Sequence, residues 1–174
     1  MTCAILSCGL SVAGCDRLSS KREETRVAVD EAPKHEKESR LTLTGAKVLL
    51  DRGGAYDRVC PPNQRPPRSA PGCMDHHFYV FPLVPEGWTS SAEVPAWITC
   101  SGNVTSLDAC RARVAARTAD GRPGDVSGTV AVRVGDRERF GRTNSGWEKA
   151  IDQAVEVHQL RPAPRGPVLR LGDK

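Results

Sequence analysis

Aromatic residues are scarce in this sequence: three Trp, two Tyr and three Phe make up 5% of its 174 positions. Large rings supply much of the buried area in a small core, so the domain needs another source of stability. No sign of charge prevails either, since 25 Lys and Arg face 21 Asp and Glu for a formal charge of +4. So mild an excess does not require a nucleic-acid partner. The loops and elbows of common enzymes are missing. There is no Gly-x-x-x-x-Gly-Lys phosphate loop, no Gly-x-Ser-x-Gly elbow and no Ser-x-x-Lys pair, which argues against the usual nucleotide hydrolases and serine acyl transferases.

Charge is absent from Met1 to Gly14, in a chain where 26% of residues carry it. Cys3, Ala4, Ile5, Leu6, Cys8, Leu10, Val12 and Ala13 make this stretch apolar. It is shorter than the roughly twenty residues that span a bilayer as a helix, and fits a signal peptide ending in small residues. The closing Val12-Ala13-Gly14-Cys15 resembles the lipobox of bacterial lipoproteins. That resemblance covers only this segment. It implies removal of residues 1–14, lipid attachment at the Cys15 thiol, and a place in the cell envelope, anchored to a bacterial membrane and facing the periplasm or the surface.

The seven cysteines divide accordingly. Cys3 and Cys8 leave with the signal and Cys15 carries lipid. Cys60, Cys73, Cys100 and Cys110 remain, an even set suited to disulfides in an oxidising compartment. Three pairings are open. Short loops favour Cys60–Cys73 and Cys100–Cys110.

Between Asp16 and Arg40 seven basic and seven acidic side chains are mixed without an aromatic. Residues 15–40 are therefore expected to form a charged flexible linker. A β domain is expected over 41–160, with a Pro- and Gly-rich, loosely ordered tail over 161–174. Strands are predicted at Leu41–Leu50, at His77–Phe81 in an edge position set by Pro82 and Pro85, and at Ala96–Cys100. Two period-two stretches, Cys110–Arg117 and Val126–Val134, are predicted to pair as a hairpin. Ser145-Gly146-Trp147-Glu148 has capping-box spacing, so a short helix should lead into a last strand over Ala154–Leu160.

The expected fold is mainly β, with one short helix. The strand order resembles a small antiparallel barrel of the oligonucleotide/oligosaccharide-binding (OB) type, in which only Thr105–Ala109 could turn between the third and fourth strands. A β-sandwich fits nearly as well.

Two clusters could carry chemistry. Asp75-His76-His77 resembles a phosphoesterase signature, and Cys60, Cys73, His76 and His77 are the ligands a metal-dependent hydrolase would have to use. Adjacent histidines on a strand point to opposite faces, however, and the cysteines lack zinc-knuckle spacing. No metal or cofactor is therefore expected. Arg111, Arg113, Arg117 and Arg133 would line strand faces that either bind an anionic polymer or stay solvated and discourage edge pairing. The three Trp are expected to serve in packing. The sequence thus points to a non-enzymatic, disulfide-stapled envelope lipoprotein that binds a partner or supports an assembly. Its alternatives are a barrel for an anionic polymer, oligonucleotide or oligosaccharide, with no nucleic acid expected, and the hydrolase around His76 and His77.

Overall fold

Arg40–Val48 sets Leu41 and Leu43 on one face and exposed Arg40 and buried Thr42 on the other, and forms the long strand β2 around which the chain is organised. The computed structural model describes residues 24–60, 75–100, 104–135 and 145–171. The remaining strands are β1 (Thr25–Ala28), β3 (Gly54–Arg58), β4 (His76–Pro85), β5 (Ala96–Thr99), β6 (Gly124–Arg133) and β7 (Pro167–Arg170). They make one seven-stranded mixed sheet in the order β1-β2-β6-β7-β5-β4-β3, with a further pairing of β2 to β4. The β1–β2 and β5–β7 pairs are parallel. Among the described residues there are also two α-helices, α1 (Leu107–Arg117) and α2 (Ser145–His158), and short 3-10 turns.

A bulge lets β2 serve two neighbours. Its first half pairs with β6, and after Gly45, at φ +64°, its end pairs with β4. Glycine occupies that backbone region without strain.

The core has two parts. Leu41, Leu43, Phe81, Leu83, Ile98, Val126 and Leu169 fill one face of the sheet, closed by Val29 and Ala32 of the first 3-10 turn and by Cys110 and Val114 of α1. On the other face Val80, Val84, Trp97, Val132 and Val168 meet Ala150, Ile151 and Ala154 of α2. A Cβ on Gly54 would stand 1.9 Å from the Ala150 carbonyl oxygen, so α2 lies directly on the β3 backbone.

Several expectations are corrected. Cys110–Arg117 is not a strand but most of α1, so the hairpin with β6 does not form. Its Ala and Arg residues favour helix, Leu107, Cys110 and Val114 also fall at helical spacing, and Ser106 Oγ caps the start by accepting from Ala109 N at 3.1 Å. Ala154–His158 belongs to α2, which ends at Gln159 with φ +55°. The described residues therefore hold two α-helices rather than one. Strand β4 is not an edge, because it pairs with β2, β3 and β5.

Both flanks of the expected domain also fold. Within the expected linker, β1 pairs with β2, and Val29 and Ala32 are buried. Within the expected tail, β7 lies between β5 and β6 with Val168 and Leu169 at 0% exposure. Single apolar residues among charges, and a short strand between prolines and glycines, leave too little pattern for sequence to read.

The Cys100–Cys110 disulfide forms, with its Cα atoms 5.5 Å apart, and ties β5 to α1. Cys60 is also disulfide-bonded. Its expected partner Cys73, the signal at 1–14 and Cys15 lie outside the described residues.

Candidate functional site

The arginines singled out in the sequence do not share a face. On α1, Arg113 and Arg117 fall one turn apart on the exposed side. Arg111 turns inward, donating from Nε to the Leu50 carbonyl at 2.8 Å and pairing with Asp108. Arg133 is only 3% exposed. Its guanidinium donates to the carbonyls of His35 (2.5 Å), Glu38 (3.2 Å) and Arg165 (3.3 Å), joining two turns remote in sequence. A buried cation needs such partners, and this one is a structural tie rather than an anion contact.

The Asp75-His76-His77 cluster is similarly dispersed. Asp75 Oδ1 accepts from the Cys60 backbone N–H at 2.8 Å. His77 Nδ1 lies 2.7 Å from Asp57 Oδ1 on β3, its cross-strand neighbour, and its ring stacks on Tyr79 at 6.3 Å. Burial, and secondarily the charge of Asp57, raise the pKa of Tyr79 above its ordinary value. His76 turns the other way, 6.2 Å from Phe78. Among the described residues no three His, Cys, Asp or Glu side chains gather as metal ligands would.

What the fold does assemble is an aromatic and cationic surface that the sequence scatters over four elements, β3, β4, α2 and β7. The β3–β4 register sets Tyr56 opposite Phe78 and Arg58 opposite His76. The start of α2 packs on this pair. A Cβ at Gly146 would fall 2.3 Å from the Phe78 ring, so only glycine lets the helix sit so close. Next to it, Trp147 meets Phe78 edge-on, with centroids 5.4 Å apart and planes at 84°. The Tyr56 and Phe78 rings are 6.2 Å apart.

Two cations lie over these rings. Lys149 Nζ stands 4.6 Å from the Tyr56 centroid and donates to its hydroxyl at 3.1 Å. The Arg170 guanidinium stands 5.3 Å from the Trp147 centroid. Tyr56, Phe78 and Trp147 are half-buried while Lys149 and Arg170 are exposed. The rings therefore brace the cations against the surface and leave their outer sides to solvent. Cation–π contact of this kind contributes about 0.5–1 kcal/mol at an exposed site and restricts the rotamers of a long side chain. The sequence did indicate the aromatic strand at His77–Phe81. It could not place α2 and β7 beside it.

A concavity elsewhere, of about 360 Å³, is lined by Pro33, Pro85, Trp88, Pro95 and Pro164 with Asp30, Lys34 and Glu93 among its other residues. Trp88 Nε1 donates to the Glu93 carbonyl there at 3.0 Å, so the indole edge is already used. Trp97 is fully buried in the core.

No protein-family model, no curated protein and no solved structure matches this chain.

Proposed function

We propose that this protein is a non-catalytic, envelope-anchored binding module whose ligand is an anionic polymer. The observation that carries the reading is the pair of exposed cations, Lys149 and Arg170, held over Tyr56 and Trp147 on one surface. Pre-positioned cations lose little freedom on meeting an anion, which favours binding. Because each cation occupies a ring face, charge rather than base stacking is the natural means of recognition. Phosphate or uronate groups along a chain suit it better than nucleobases.

Strand pairing supports an OB-type barrel beneath this surface. The pairings run β2–β4–β5–β7–β6 and return to β2, parallel only between β5 and β7. Counting those five strands in chain order, α1 falls between the third and the fourth. Barrels of this type bind polymers on the second and third strands and the loops beside them. Here α2 covers Val80, Val84 and Trp97 of those two strands, so the proposed ligand surface is displaced to the rim at Phe78, Trp147 and Arg170.

Val12-Ala13-Gly14-Cys15 supports the lipid anchor, and among the described residues no helix is long and apolar enough to cross a membrane. Only nine residues, Asp16–Glu24, separate Cys15 from β1. They reach about 30 Å at full extension, so the module would stay close to its membrane.

Binding of inorganic polyphosphate and polygalacturonate to the purified protein, measured across a salt series, tests the reading. The double variant Lys149→Ser/Arg170→Ser should bind at least about tenfold more weakly, with less salt dependence. Binding by that variant equal to wild type, or no binding by the wild type, would overturn it.

A further inference from the structure

The surface around Arg170 continues beyond α2. In the β2–β6 register Arg40 stands opposite Thr129, and in the β6–β7 register Thr129 stands opposite Arg170. Residues directly opposite one another point to the same face of a sheet, so these three side chains form a row across the strands. The register shifts of β2 and β6 fall between Leu43 and Ala46 and between Val130 and Val132, outside this row. All three residues are exposed.

From these positions we infer that Arg40 is a second anion contact and that the ligand is a chain long enough to cross β7, β6 and β2. The inference rests on the binding reading above and deepens it by giving the path that the polymer takes over the sheet. Adjacent strands lie about 4.8 Å apart, which sets the Cα atoms of Arg40 and Arg170 about 10 Å apart. The Arg170 guanidinium is held over the Trp147 ring of α2. The two charges therefore address separate anionic groups, and the Thr129 hydroxyl between them offers a hydrogen bond to the intervening chain.

The neighbouring row does not compete as a track. Arg26 is paired with Asp125 at 2.5 Å, while Thr42 donates to Glu24 at 2.5 Å and lies 2.6 Å from the Ser127 hydroxyl. Those hydroxyl bonds lower the pKa of Glu24, with a smaller contribution from Arg40, so its carboxylate stays ionised beside the track. A ligand anion at Arg40 must outweigh that one carboxylate, which makes this contact the weaker of the two.

The test compares orthophosphate with long-chain inorganic polyphosphate on the wild-type protein and the variants Arg40→Ser and Arg170→Ser, with melting temperatures confirming the fold. Arg40→Ser should weaken polyphosphate binding severalfold and leave orthophosphate binding within twofold, while Arg170→Ser weakens both. Unchanged polyphosphate binding by Arg40→Ser beside a weakened Arg170→Ser would overturn the track and leave the site at Arg170 standing. Equal weakening of both ligands by Arg40→Ser would also overturn it, because the two arginines would then share one anion. Failure of the wild type to bind either ligand would remove the track together with the function it extends.

Discussion

Trp97 is the largest fully buried side chain, at 0% exposure, and its indole N–H has no hydrogen-bond partner among the described residues. An orphaned donor costs about 1–3 kcal/mol relative to one that is paired. Replacing the residue with Phe removes that penalty and loses part of the apolar contact with Val80, Val84 and Ile151. The two effects oppose one another at similar size, so Trp97→Phe should change stability by less than about 1.5 kcal/mol in chemical denaturation. Trp97→Ala has no compensation and should cost about 3–5 kcal/mol. A Phe variant as damaging as the Ala variant would mean that the N–H is satisfied after all. Arg133 is the opposite case, a buried polar group whose reach to three carbonyls answers its own desolvation. Sequence placed both residues on strands. It gave no sign that one donor would be orphaned and the other fully used, because that depends on turns remote in the chain.

At the scale of elements, the docking of α2 on β3 is the contact that builds the candidate site, and Gly54 is its narrowest point. A methyl group there would overlap the Ala150 carbonyl at 1.9 Å and the Ala154 Cβ at 2.8 Å. Neither can move without shifting the helix. Gly54→Ala should therefore destabilise the protein by about 1–3 kcal/mol and weaken anion binding as well, because Lys149 and Trp147 ride on the displaced helix. Loss of stability without any change in polyphosphate affinity would separate the helix from the site. The sequence anticipated the start of this helix from Trp147, Ala150, Ile151 and Ala154 and then ended it too early. Val155-Glu156-Val157 alternates as a strand would, yet Val157 is simply the exposed side of the helix, at 58%. The same ambiguity misassigned α1, where Cys110, Ala112, Val114 and Ala116 satisfy period two while Leu107, Cys110 and Val114 satisfy the helix. Short apolar patterns fit both periods, and tertiary contact decides between them.

At the scale of the whole molecule, both parts of the core share the same strands. Leu169 faces one cluster and its neighbour Val168 the other, and the same alternation holds for Ile98 and Trp97 on β5 and for Phe81 and Val80 on β4. Chain order makes the coupling stronger, since α2 lies between β6 and β7 and cannot leave without straining two paired strands. The mainly β character was legible, with β2 and β6 read from alternation and β4 and β5 from their aromatic and apolar runs, whereas β1, β3 and β7 were not. Those three are four- or five-residue segments set among charged residues, glycines and prolines, and they acquire meaning only when longer strands provide the ladder. The two faces should accordingly unfold as one unit. Leu43→Ala on one face and Ile151→Ala on the other should each cost about 2–5 kcal/mol and lower the denaturation midpoint of tryptophan fluorescence and of far-ultraviolet circular dichroism together. If Ile151→Ala moved the fluorescence transition alone, α2 would be a separately melting cover. The surface at Trp147 and Arg170 would then open and close independently of the sheet. Coincident transitions would instead make the site as rigid as the core beneath it, which is the condition for cations braced on aromatic rings to act as a fixed anion contact.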